Sequence, residues 1–352
     1  MTVHHFGPDP ATVGGMASVI RVFSEHHVGG DAVEFHPTWR PNASLTSARL
    51  AGAATRVLRR LPAGEVAHIH LSEKGSFVRE GALVALARRR GLVTVASIHG
   101  GEFVSFAARR PRLVAAVLGR AHLVTCLARE TLQCVNRRVP DVHAELVPNP
   151  VPVDRDAPPA DATEELVVFA GEISTRKGAD VLHRAWQLVA ERRPTARCVL
   201  VGPIIDYTPP PAPRLQVRAP VGPAEVRELL RAARVVVLAA QAEALPMILS
   251  EAMSAGRPFV ATPVGGVTDL LASGGGVPVA VGDHRALADR LTELLADPTL
   301  ARQMGERGRE FCERNQSVDV IDARLRELYA AAAPAAPRQH RGPDGPSDPH
   351  LP

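Results

Sequence analysis

At 352 residues and 45% apolar content, the chain has room for about two domains of ~150 residues each and for real hydrophobic cores. A formal charge of +4 and an aromatic share of 4% fall short of the basic surfaces and stacking platforms of nucleic-acid-binding proteins, which excludes nucleic acid as the expected partner. The cysteines Cys126, Cys134, Cys198 and Cys312 form no C-x-x-C pair and lie mostly in apolar or helical runs, so reduced core thiols are expected rather than disulfides or zinc ligands.

The opening MTVHHFGPDP has no basic end followed by an apolar core, so no signal peptide is expected. No apolar run approaches the ~18 residues of a membrane span either. A cytoplasmic protein follows as the expectation, at most leaning on a membrane surface. In chain order, short apolar runs alternate with amphipathic segments, the pattern of a parallel sheet wrapped by helices. Strands are predicted at 3–6, 66–71, 93–98, 122–127 and 144–148. The stretch PNPVPVDRDAPPADATEE (148–165) is rich in proline and charge without an apolar period, as in an interdomain linker.

A second strand series follows at 165–170, 197–202, 215–219, 235–240, 258–262 and 276–281, with GPIIDYTPPPAPRL (202–215) as a loop. Residues 283–333 have helical period, and the proline-rich remainder to 352 is expected to be disordered. The division is therefore a first domain over 1–150, a linker over 151–163 and a second domain over 164–315. A helix over 316–333 is expected to pack back toward the first domain, with a disordered tail over 334–352.

Two doubly wound domains facing each other make a cleft, because open parallel sheets bind ligands beyond the carboxyl ends of their strands. After the strand LVVFA come Arg176, Lys177 and Gly178 at a helix start, a pattern that fits either an anion site or a solvated turn. After the strand VVVLAA comes EALPMILSE, with Glu243 in the loop and Pro246 at the first helical position. Glu251 then falls in the second turn of that helix. Carboxylates accept hydrogen bonds strongly, and vicinal hydroxyls of a sugar or ribose can each donate one. The glycine pair Gly265, Gly266 at the following turn is weak evidence by itself.

The segments GEISTRKGADVL, AEALPMILSEAMSAGRPFVATPVGG, VPNPV, HLSEKGSF and SIHGGEF together resemble the retaining glycosyltransferases of family 4. The resemblance runs to about residue 330 in the right order and spacing. It implies an α/β architecture of the GT-B type, two Rossmann-like domains across a cleft. It also implies transfer of a sugar from a nucleotide-diphosphate donor, UDP- or GDP-linked, to a glycan, lipid-linked or small-molecule acceptor. The nucleotide sugar acts as co-substrate and no separate cofactor or metal is implied.

By the same resemblance Lys177, with Arg176 beside it, holds the diphosphate, and Gly178, Ala244, Leu245 and Pro246 line the donor site. Glu251 binds the ribose hydroxyls, Glu243 and His99 contact the transferred sugar, and Gly14 and Gly15 form the glycine loop near the diphosphate. Three positions depart from the family pattern. Glu172 stands where an arginine is frequent and would repel a diphosphate unless it points away or pairs with Arg176. Ala244 replaces a frequent glycine, and Ala240 a frequent serine.

The only D-x-D, Asp154 and Asp156, lies in the linker, where a solvated charge cluster is expected rather than a divalent site. A dinucleotide oxidoreductase is disfavoured because no strand leads into G-x-G-x-x-G. A noncatalytic nucleotide-sugar binder remains the alternative. Basic clusters at 57–61 and 86–92 sit beside apolar residues, a face that fits anionic lipid or plain solvent.

Overall fold

The structure is a computed structural model that describes residues 2–12, 14–40 and 43–333. The tail expected beyond 333 lies outside the described residues. Two parallel six-stranded sheets form the framework. The first contains β1 (Thr2–Pro8), β2 (Ala32–Trp39), β3 (Val66–Leu71), β4 (Val93–Ile98), β5 (Leu123–Cys126) and β6 (Ala144–Leu146), in the order β2-β1-β3-β4-β5-β6. The second contains β7 (Leu166–Ala170), β8 (Arg197–Val201), β9 (Leu215–Arg218), β10 (Val235–Leu238), β11 (Phe259–Ala261) and β12 (Gly276–Pro278), in the order β12-β11-β10-β7-β8-β9.

Central strands such as VHHFGP, VAHIHL and VVVL are buried along their length, as expected when helices cover both faces of a parallel sheet. The sequence reading missed β2, because its AVEFHPTW run carries Pro37 and polar residues. The strand survives because it pairs on one side only, with β1, and an edge tolerates a residue that cannot donate. β12 ends at Pro278 rather than 281.

The order of each sheet reverses once, between β1 and β3 in the first lobe and between β7 and β10 in the second. Crossover helices leave in opposite directions at such a point, so the loops after those strands diverge and open a crevice. Those loops carry the candidate residues of the next section.

The helix Val318–Ala332 runs back onto the first lobe. Its Tyr329, Leu325 and Ile321 pack in one buried cluster with Val3, Val66 and Val93 of the first sheet, and Met247 of the second lobe joins them. Gly29 admits this helix: a Cβ there would lie 2.7 Å from the Tyr329 ring. Arg326 fixes the helix end by bonding Asp31 and Asp322, both at 2.8–2.9 Å. No helix of the described residues is long and apolar enough to cross a membrane.

Candidate functional site

The corner between β7 and β10 is assembled by loops that touch through glycine. Gly178, at φ 76°, caps the helix Ala179–Arg192, and a Cβ there would lie 2.1 Å from the Ala239 carbonyl oxygen. Any other residue would push the two loops apart. Lys177, next in line, donates from Nζ to the Glu243 carboxylate, and both side chains are largely buried, at 19% and 9% exposure. The loops are also stitched by the Gln241 amide donating to the Arg176 carbonyl at 2.9 Å.

The glycine pair that the sequence left weak has a packing role here. The Gly266 amide donates to the Ala244 carbonyl at 2.7 Å. Gly265 has φ 50°, and a Cβ on it would lie 1.8 Å from the Glu243 carbonyl oxygen. The turn therefore presses the backbone of Glu243 and Ala244 toward the opposite lobe.

Glu172 does pair with Arg176, at 2.8 Å between two half-exposed side chains. The repulsion expected of that carboxylate is thereby offset, and the guanidinium also reaches the Ala242 carbonyl at 3.5 Å. Pro246 departs from the sequence reading by one position. The helix spans Met247–Ser254 and Pro246 is its N-cap, with ψ 119°, because the loop must stay extended until it has passed Leu245. Glu251 lies in the second turn as expected. Its carboxylate has no hydrogen-bond or ion-pair partner among the described residues, and burial raises its pKa against the opposing pull of Arg227 and Arg21.

The first lobe supplies the facing wall. A Cβ on Gly101 would lie 3.1 Å from the Glu243 Cα, so this position sits directly against the second-lobe corner. Asn149 spans the junction, its Nδ2 donating to the Leu245 carbonyl at 3.4 Å. Gly14 caps the helix Gly15–Glu25 at φ 148°, and a Cβ on Gly14 or Gly15 would meet nothing within 4 Å. Their backbone borders open space. Arg21, on the same helix, is the first-lobe cation that acts on Glu251.

His99 follows β4, its amide donating to the Leu71 carbonyl at 2.8 Å. It lines a water-sized cavity with His68, Ser97, Thr125, Asn149 and Leu325. Its surroundings are what the sequence reading missed. The parallel register sets His5 opposite His68 and His70 opposite Ser97. The rings of His5, His68 and His70 lie at centroid distances of 4.6–5.2 Å, with His68 stacked on His70. His70 bonds His5 at 2.9 Å and His99 at 2.8 Å. His68 bonds the Tyr329 hydroxyl at 2.6 Å and Ser97 Oγ at 2.5 Å.

Burial holds all four rings neutral: His5 is lowered to about 3, His99 to about 4, and His68 and His70 well below the ordinary value. The signal for this cluster was present in VHHF, VAHIHL and SIH, since His68 and His70 share a face at period two. It becomes readable only once strand neighbours are known. Glu73 was also passed over. It accepts from the Glu102 amide at 3.3 Å and from Ser72 Oγ at 2.7 Å, fixing the loop before Gly101.

Elsewhere, Asp154 is not the solvated carboxylate expected. It takes a two-pronged bond from Arg231 at 2.7 and 2.8 Å and anchors the linker to the second lobe. Cys126, Cys134, Cys198 and Cys312 are free and buried.

This architecture, two doubly wound lobes with a site at their facing loops, is the GT-B fold. It is shared with sucrose-phosphate synthase from Thermosynechococcus elongatus, at TM-score 0.73 and 18% identity over 94% of this chain and 98% of that one. Anabaena HepE in complex with UDP-glucose matches at TM-score 0.70 and 15% identity over 94% of this chain and 100% of that one.

Residues 151–311, most of the second lobe, match the family described as glycosyl transferases group 1. A D-inositol 3-phosphate glycosyltransferase of Streptomyces avermitilis is 31% identical over 196 residues, 51% of this chain and 42% of the relative. An N-acetyl-alpha-D-glucosaminyl L-malate synthase of Bacillus anthracis is 40% identical over 105 residues, 30% of this chain and 28% of the relative. The matched segments thus span less than half of either relative.

Proposed function

We propose that the protein is a retaining glycosyltransferase that moves a sugar from a nucleotide diphosphate to an acceptor hydroxyl, with lysine and arginine in the place a metal would otherwise take. The observation that carries this reading is the Lys177–Glu243 pair, held in the corner between β7 and β10 and faced by Gly101 of the other lobe. As the bond from sugar to phosphate breaks, positive charge grows on the sugar ring and negative charge on the departing phosphate. Lys177 stabilises the phosphate, and Arg176 and the amides at the start of the Ala179 helix add to it. Glu243 orients the lysine and receives a hydroxyl of the transferred sugar.

Glu251 has free acceptor capacity in a half-buried place, which suits the paired hydroxyls of a ribose. The open backbone at Gly14 and Gly15 leaves room for the diphosphate, and His99 contacts the sugar from the first-lobe side. Retention follows if the acceptor attacks on the face from which phosphate leaves, with a phosphate oxygen taking its proton. That HepE was solved with UDP-glucose makes a UDP-linked donor the first to try, with GDP-linked donors next.

The acceptor meets the first lobe. The helices Ser44–Arg60 and Gly75–Arg89 end in exposed arginines and carry the exposed apolar residues Leu45 and Val78, a composition suited to a lipid-linked acceptor at an anionic inner membrane surface reached from the cytoplasm. Flotation with anionic liposomes at low and high salt tests that part, and binding insensitive to salt or absent removes it.

Turnover measured on a panel of UDP, GDP and ADP sugars with added acceptors tests the activity itself. Release of nucleoside diphosphate with one donor class is expected. Binding of a donor without any turnover would favour the noncatalytic nucleotide-sugar binder instead.

A further inference from the structure

The histidines behind His99 form a directed hydrogen-bond chain, and its direction can be read from its closed end. His5 Nδ1 meets His70 Nε2 at 2.9 Å, and His70 Nδ1 meets His99 Nε2 at 2.8 Å. With every ring neutral, each contact needs one N–H and one lone pair, so the three rings share one tautomer: all protonated at Nδ1 or all at Nε2. The free ends are His5 Nε2 and His99 Nδ1. His5 Nε2 is fully enclosed and has no partner among the described residues, lying among His68, His70 and Phe23.

An orphaned buried N–H is rarer than an under-used acceptor. The enclosed nitrogen is therefore the bare one, and the protons sit on Nδ1 throughout. We infer that His70 is a positioning residue: through its bonds to His5 and His99 it locks His99 in the Nδ1–H tautomer, so that the open end of the chain is a hydrogen-bond donor. Such a donor recognises an oxygen lone pair, as on a sugar hydroxyl, and not an ammonium.

A shared metal ion is the competing use of His5, His68 and His70, whose ligand atoms lie within 4.8 Å of one another. The hydrogen bonds rule against it. His5 Nδ1 and His70 Nε2 are spent on each other at 2.9 Å, and His68 spends both of its nitrogens, on the Tyr329 hydroxyl and on Ser97 Oγ. Burial supports the neutral chain, since His5 is lowered to about 3 and His99 to about 4 by loss of solvent.

The role of this donor in sugar recognition rests on the proposed function, but the tautomer does not, and the test exploits that. The full chain labelled with heavy nitrogen in histidine is studied by NMR at neutral pH, where the shifts report which ring nitrogen of His99 holds the proton. The expected result for the unmodified protein is a single Nδ1–H population at His99. His70→Phe keeps an aromatic ring in the stack but makes neither bond, and the expected result is loss of that single population into a mixture. His70→Asn restores a donor near the original Nδ1 and should restore it.

An Nε2–H population at His99 in the unmodified protein would overturn the inference whatever the variants do. So would an unchanged His99 signal in a folded His70→Phe. Zinc added to the unmodified protein should leave the three ring signals in place, and their joint displacement would establish the metal reading instead. Should no sugar donor turn over, the proposed function fails while the tautomer result stands.

Discussion

In the second lobe the polar groups of the site ride on loops beyond the strand ends, Lys177 after β7 and Glu243 after β10, with glycines letting those loops touch. The first lobe does the opposite, placing His5, His68 and His70 within strands β1 and β3, where they are fully enclosed and stacked. The loop-built corner holds an ion pair, Lys177 against Glu243. The strand-built cluster gives up charge, because burial costs an imidazolium several kcal/mol of hydration. One side of the junction is thus an electrostatic device and the other a fixed array of neutral donors and acceptors.

The largest expected separation between the two sides is in acid. Histidines held neutral by burial take up protons in the unfolded chain before the folded one, so their contribution to stability is complete above about pH 6.5. It is lost as pH falls toward the folded values, about 3 for His5 and about 4 for His99. Each such histidine costs about 1.4 kcal/mol per pH unit in that window. Thermal unfolding followed at pH 7 and pH 5 should show a steep fall. An equal Tm at both would show that these rings are already solvated.

Next in size is Gly265→Val, which places a branched side chain at φ 50° against the Glu243 carbonyl and should cost about 3 kcal/mol, read as a lowered denaturation midpoint with loss of donor binding. A Gly265→Val protein of unchanged midpoint would break the claim that glycine holds the corner.

Smaller effects sharpen the comparison. Glu251→Gln should raise the donor KM about tenfold with little change in kcat, since ribose binding is the same in ground and transition states. A fall in kcat alone would move Glu251 into the chemistry. Tyr329→Phe strips the partner from buried His68 Nδ1 and should cost about 1–2 kcal/mol, without altering donor KM. An altered KM would link the returning helix to the site.

The same contrast explains what the sequence disclosed. All the second-lobe strands were legible, and so were the places of Lys177 before a helix, Glu243 in a loop and Glu251 in a second helical turn, because these are local patterns; their roles come from the family resemblance alone. The packing role of Gly265 was not, since it depends on the Glu243 carbonyl 22 residues back (265 − 243 = 22). In the first lobe the strands VAHIHL and VTVASI were read to the residue. His68 and His70 of the first stayed unassigned, because His70 meets His99 only through the β3–β4 pairing. Strand β2 escaped because Pro37 argues against a strand until its edge position is known.

The central claim is that Lys177 stabilises a departing phosphate. Turnover of Lys177→Ala, measured with whichever donor the intact protein uses and alongside a thermal melt, tests it most directly. A drop of about 100-fold in kcat, equivalent to about 3 kcal/mol of transition-state stabilisation, with the melt little changed, is the expected result. Turnover within a factor of about two of the unmodified protein, well inside ~1 kcal/mol, would contradict it.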